Sequence, residues 1–214
     1  MTYPLAEQLL EHLWSRVDPL QGEELYVILD AARDRRILAA ATRSGAPSRC
    51  LYDGAPPAVA AVAPYLVRLR RDSMLLSQVA DHGWGQAWGI FLVSRANIDR
   101  LADHLKQFVL ACDDDDSTFY FRYYDPRVFR VYLPTCTALE LEAIFGPVRC
   151  YLVEHEDPDK VVEYWFAVEG MSRTTSLRPA DAPPEPPAEE SAGEPGEPGE
   201  PGDEWVVVEE ESQS

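Results

Sequence analysis

Residues 119–127 read Phe-Tyr-Phe-Arg-Tyr-Tyr-Asp-Pro-Arg, five aromatic rings in a short span that ends at a charged turn and a proline. Side chains alternate along a strand, so over Thr118–Tyr124 the residues Phe119, Phe121 and Tyr123 would share one face and Tyr120, Arg122 and Tyr124 the other. Bulk on both faces predicts a strand interior to its sheet and covered on both sides. Arg122 then needs an anionic partner, and Asp125 is the nearest in sequence. Asp125-Pro126 predicts a helix start, with Asp125 as N-cap and Pro126 at the first helical position, where its missing N–H costs nothing.

Working outward, the apolar run Leu25–Leu29 predicts a buried strand ending at Asp30. Before it, Leu5, Leu9, Leu10, Leu13, Trp14 and Val17 fall on one face of a helix that must dock on something. A short helix is expected over 33–42, stopping near Gly45, then a short strand over 49–52 closed by the turn Asp53-Gly54-Ala55-Pro56-Pro57. A strand over 65–69 and a helix over 73–80 follow, interrupted by His82-Gly83-Trp84-Gly85 before an apolar strand over 87–94. Asn97 caps an amphipathic helix whose stripe is Ile98, Leu101, Leu105, Phe108 and Val109. Thr137 and Glu140 have capping-box spacing for a helix through Phe145, and the strands 148–154 and 161–168 form a hairpin. Strands alternating with helices predict an α/β or α+β domain over residues 1–170, with a mixed central sheet flanked by helices.

Residues 171–214 change character to an acidic tail of Pro, Gly and Glu, with Gly-Glu-Pro three times over from Gly193 to Pro201. Such a composition buries too little apolar surface to offset ordering entropy and is expected to be disordered. Within it the apolar segment 205–208 stands out, and Trp205, Val206 and Val207 are candidate partner-docking residues. From Pro179 onward lie 12 of the 37 acidic residues and none of the 19 basic ones, so most of the formal charge of −18 belongs to the tail. Residues 1–178 carry 25 acidic groups against 19 basic, a mild −6 that argues against broad binding to a phosphate backbone.

Chemistry is hard to find. Cys50, Cys112, Cys136 and Cys150 are far apart, with no CxxC pair, so no metal is expected, and free thiols without a signal peptide or spanning helix suggest the cytoplasm. Asp113–Asp116 lacks the ligand pattern of a calcium loop and reads as a solvated charge run. Gly83-Trp84-Gly85 is not a phosphate loop, and no serine sits in a nucleophile elbow. Asp30, Asp53 and Asp125 fall at strand ends, where His82 could join one of them in an enzyme, but cap and turn roles explain all three. No catalytic residue, cofactor or metal is expected.

Five blocks in order carry a resemblance: Leu51-Tyr52-Asp53-Gly54, Ala63-Pro64-Tyr65-Leu66-Val67, Gly83-Trp84-Gly85 with Trp88-Gly89-Ile90, Phe121-Arg122-Tyr123-Tyr124-Asp125-Pro126-Arg127, and Phe145-Gly146-Pro147-Val148. Over about residues 20–170 the chain resembles the adaptor chaperones of bacterial type VI secretion. The resemblance implies a non-enzymatic cytoplasmic protein of Gram-negative bacteria that binds a toxic effector and helps load it onto the VgrG spike. It extends to the N-terminal lobe only, since longer members carry a helical C-terminal lobe where this chain has its acidic tail. Asp53, Gly54, Pro64, Tyr65, Trp84, Trp88, Arg122, Tyr124, Asp125 and Pro126 are then signature residues of structural role, and Arg127 is a candidate to face a partner. The alternative is an immunity protein that neutralises a toxin by direct binding. Loss of an immunity protein kills cells exposed to the toxin, whereas loss of an adaptor only stops delivery.

Overall fold

The apolar run Leu25–Leu29 is continuous because its strand is covered on both faces. The computed structural model describes residues 4–52, 54–112, 118–166 and 172–177. Its strands in chain order are β1 (Glu24–Asp30), β2 (Ser48–Cys50), β3 (Pro64–Arg68), β4 (Gly89–Ser94), β5 (Leu110–Cys112), β6 (Thr118–Tyr120), β7 (Val148–Glu154), β8 (Lys160–Trp165) and β9 (Ser172–Ser176). Its α-helices are α1 (Pro4–Ser15), α2 (Arg35–Arg43), α3 (Pro57–Ala60), α4 (Met74–Gln78), α5 (Ile98–Leu105), α6 (Pro126–Tyr132) and α7 (Ala138–Phe145). Seven strands form one sheet in the order β2-β3-β1-β4-β7-β8-β9, and β5 and β6 form a separate two-stranded ribbon. The fold is α+β.

Pleating sorts the side chains into two cores. Leu25, Val27 and Leu29 of β1 join Leu9 and Leu13 of α1, Ile37 of α2 and Leu75 and Leu76 of α4. Tyr26 and Ile28 point the other way and meet Leu101 and Leu105 of α5, Phe129 of α6 and Ile144 and Phe145 of α7. Each fully buried aliphatic side chain contributes about 1.5–3 kcal/mol, so both helical layers are held by the same sheet. Gly89 marks how closely β4 approaches β1: a Cβ there would lie 1.8 Å from the Ile28 carbonyl oxygen.

Every pairing in the large sheet is antiparallel, which corrects the expected mixed sheet. Helix α3 joins the antiparallel neighbours β2 and β3, but α2 and α4 do connect strands of like direction, as the alternation suggested. Thus α2 joins β1 to β2, but β3 lies between those two and runs the opposite way. Sequence alternation reports the crossover and cannot report the strand that later fills the gap.

The aromatic stretch is also corrected. Only Thr118–Tyr120 is strand, it pairs with β5, and it lies outside the main sheet. The chain then turns, with the Asp125 amide donating to the Arg122 carbonyl at 3.0 Å. Tyr123 and Tyr124 therefore reach the second core from a turn, while Phe119 and Tyr120 stay half exposed. Asp125 and Pro126 do open α6 as N-cap and first residue, and the Asp125 carboxylate accepts from the Arg127 amide at 2.9 Å. Thr137 and Glu140 close their capping box on α7.

By internal contacts the chain divides into two units, Met1–Asp181 and Ala182–Ser214. The second unit, including Trp205, Val206 and Val207, lies outside the described residues, as do Asp53 and the Asp113–Asp116 run. No described helix is long and apolar enough to cross a membrane.

Candidate functional site

Four of the five signature blocks converge on one end of the large sheet, while Phe145-Gly146-Pro147-Val148 leads into β7 at the other end, where Val148 pairs with Ser94. Asp30 closes β1 opposite Pro64, the first residue of β3, and Glu154 closes β7 beside the start of β8. At this end three carboxylates are buried: Asp30, Asp125 and Glu154. Each has its own donors. Asp30 accepts from the Ala32 amide at 3.1 Å and from the Arg122 guanidinium. Asp125 accepts from Arg127 through the amide and through both Nε, at 3.0 Å, and Nη2, at 2.6 Å. Glu154 accepts from the Gly85 and Ala87 amides at 2.7 and 2.9 Å.

These pairings revise the sequence reading of the charges. Arg122 reaches back to Asp30, and Asp125 holds Arg127. Burial alone would raise the Asp125 carboxyl, but the Arg127 side chain and amide outweigh it and hold the group below the usual carboxylate range. Glu154 goes the other way, because burial pushes it up despite its two amide donors and the nearby Arg130.

Behind the carboxylates stands a tyrosine chain. The Tyr52 and Tyr124 hydroxyls are 2.8 Å apart, and the Tyr52 ring stacks on Tyr120 with centroids at 4.1 Å. Burial, followed for Tyr124 by its bond to Tyr52, raises both phenols above their ordinary value, so both are neutral at physiological pH. The stack ends in solvent: Tyr120 is 52% exposed, Phe119 48% and Leu110 52%. Around them lies a cleft of about 200 Å³ lined by Leu51, Tyr52, Lys106, Val109, Leu110 and Tyr120. Surface of this kind, apolar and aromatic on a braced support, suits protein contact.

The remaining signature residues support the same end. Trp84 donates from Nε1 to the Pro158 carbonyl at 2.7 Å, tying the loop before β4 to the β7–β8 turn. Trp88 is buried under the Arg36 guanidinium, and its carbonyl accepts from the Asp30 amide at 2.9 Å. Tyr65 packs on the opposite core and donates to the Ala60 carbonyl at 2.8 Å. Gly54 sits exposed in a turn at φ 64°. Arg127 keeps about half its side chain exposed while gripping Asp125.

Sequence reasoning missed Tyr52, Tyr120 and Glu154 as members of this cluster. The one available signal was Asp30: a charge closing a wholly apolar strand, in phase with Tyr26 and Ile28, faces a core and must have a partner. His82 is exposed on a π-turn after α4 and makes no hydrogen bond to Asp30 or Asp125. His104 on α5 is half buried, with Nε2 3.1 Å from the Ile144 carbonyl, and burial lowers its pKa. His12 likewise lies against Glu163 at 3.2 Å. Among the described residues no three His, Cys, Asp or Glu side chains gather as a metal site.

Residues 25–143 match the model of a domain of unknown function, DUF4123. The chain belongs to the DUF4123 family. The match spans β1 to α7 and so contains the tyrosine chain, the Asp30–Arg122 pair and the exposed ribbon, with Glu154 beyond its end. No curated protein and no solved structure matches this DUF4123 chain.

Proposed function

We propose that the chain is a non-enzymatic adaptor of type VI secretion, which binds an effector through the β5–β6 ribbon and assists its loading onto a VgrG-like spike protein. Membership of DUF4123, a family known for effector adaptors of this system, supports the general role. The single observation that carries the binding face is the Tyr120–Tyr52–Tyr124 relay, in which an exposed aromatic ring is stacked on a ring anchored in the core. A rigid aromatic anchor loses little conformational entropy on binding, which is what contact residues of high energetic weight require. The occupied state of all three buried carboxylates favours a bracing role for them over acid–base chemistry. Action in the bacterial cytoplasm, where effectors are loaded, belongs to the same reading. The test is co-expression with the effector and spike proteins encoded beside the gene, followed by affinity capture. A stable complex with the effector that leaves its toxic activity intact supports an adaptor. A complex that abolishes the toxicity supports an immunity protein instead.

A further inference from the structure

The overall charge conceals a basic block: residues 31–72 hold eight arginines against three aspartates in a chain of net −18. Part of that block lines a groove of about 490 Å³ between the end of α2 and the start of α4. Arg43 comes from α2, Arg68 from the end of β3, Arg70 from the loop that follows, and Met74 and Gln78 from α4. The groove lies where Arg68 donates its amide to the Pro47 carbonyl, at the opposite end of β3 from Pro64 and Asp30. It is therefore remote from the ribbon and can be filled at the same time.

We propose that this groove is a second interaction surface, which takes an acidic polypeptide segment carrying an apolar side chain. Arg43 is exposed and has no hydrogen bond or ion pair among the described residues. Arg70 is held only by Asp72 at 3.3 Å, with both side chains three-quarters exposed, and Arg68 by Glu24 at 3.2 Å. Exposed pairs of this sort are weak, because water screens the charges and two long side chains must be held in one geometry, so an incoming carboxylate can displace them at little cost. Met74 is 78% exposed on the rim and supplies an adaptable apolar contact beside the charges. Nucleic acid fits less well, because three arginines are few for a phosphate backbone and the remainder of the chain is acidic.

The test is fluorescence polarisation with the full chain and three labelled probes: a glutamate-rich peptide with a central pair of leucines, the same peptide with every Glu→Gln, and a single-stranded oligonucleotide. Saturable binding to the first peptide is expected, weakened about tenfold or more by Glu→Gln, by the double substitution Arg43→Glu and Arg70→Glu, and by raised salt. Met74→Ala is expected to weaken it by a smaller factor. An unchanged melting temperature in the Arg43→Glu, Arg70→Glu chain assigns the loss to binding and not to folding. The proposal is overturned by absence of saturable binding, by binding that the double substitution leaves intact, or by equal affinity for the oligonucleotide.

Discussion

Asp30 ends β1 with no exposed surface, and its Oδ2 lies against the guanidinium of Arg122, 92 residues further along the chain. The pair joins β1 to the turn that opens α6, and so fixes the path of the segment that carries Tyr120 and Tyr124. Removing the arginine would leave a buried carboxylate with one amide donor. Because Arg122 is itself partly exposed, the cost is below that of a fully buried pair, about 2 kcal/mol. Arg122→Gln is therefore expected to lower the melting temperature by about 4–8 °C. The double substitution Asp30→Asn with Arg122→Gln should cost less than the sum of the two singles, measured by urea unfolding. Strict additivity would show that the two groups do not interact.

Gly89 should tolerate nothing larger. A Cβ at this position would sit 1.8 Å from the Ile28 carbonyl oxygen, in backbone that cannot move without parting β1 from β4. Gly89→Ala is expected to cost about 3 kcal/mol or more, or to prevent folding, as read by circular dichroism and soluble yield. A variant as stable as the parent would contradict the close approach of the two strands.

Stability should rise with pH across the histidine range. Burial holds His104 below the ordinary 6.5, so the unfolded chain takes up a proton where the folded chain does not. The stabilisation is complete above about pH 6.5 and is lost as the pH falls through the lower folded value. His104→Gln should flatten this part of the curve. The sign is opposite for Glu154, whose raised value makes stability fall as the pH climbs through it from the ordinary 4.5. Unfolding free energies across the pH range, compared between parent and His104→Gln, separate the two.

Much of the helix and strand order was readable because the chain punctuates itself. Asn97, Asp125 and Thr137 each cap the helix that the sequence assigned to them. The apolar runs at β1, β4 and β7 are continuous because those strands are covered on both faces. The short ribbon strand β5 and the edge strand β9 were not readable: three residues cannot show a period, and Ser172–Ser176 is polar throughout. The aromatic stretch misled for a physical reason. Burial of Tyr123 and Tyr124 looks the same in sequence whether a strand or a turn presents the ring, and only the distant Tyr52 and Asp30 distinguish the two.

The central claim is that the exposed ribbon binds an effector, and Phe119→Ser with Tyr120→Ser tests it most directly. Both rings are half exposed, so the substituted chain should keep its fold, checked by its melting temperature. Affinity for the co-expressed effector, measured by calorimetry, is expected to fall about tenfold or more, the scale of losing aromatic anchors from an interface. Undiminished effector binding by a chain lacking both rings would contradict the account.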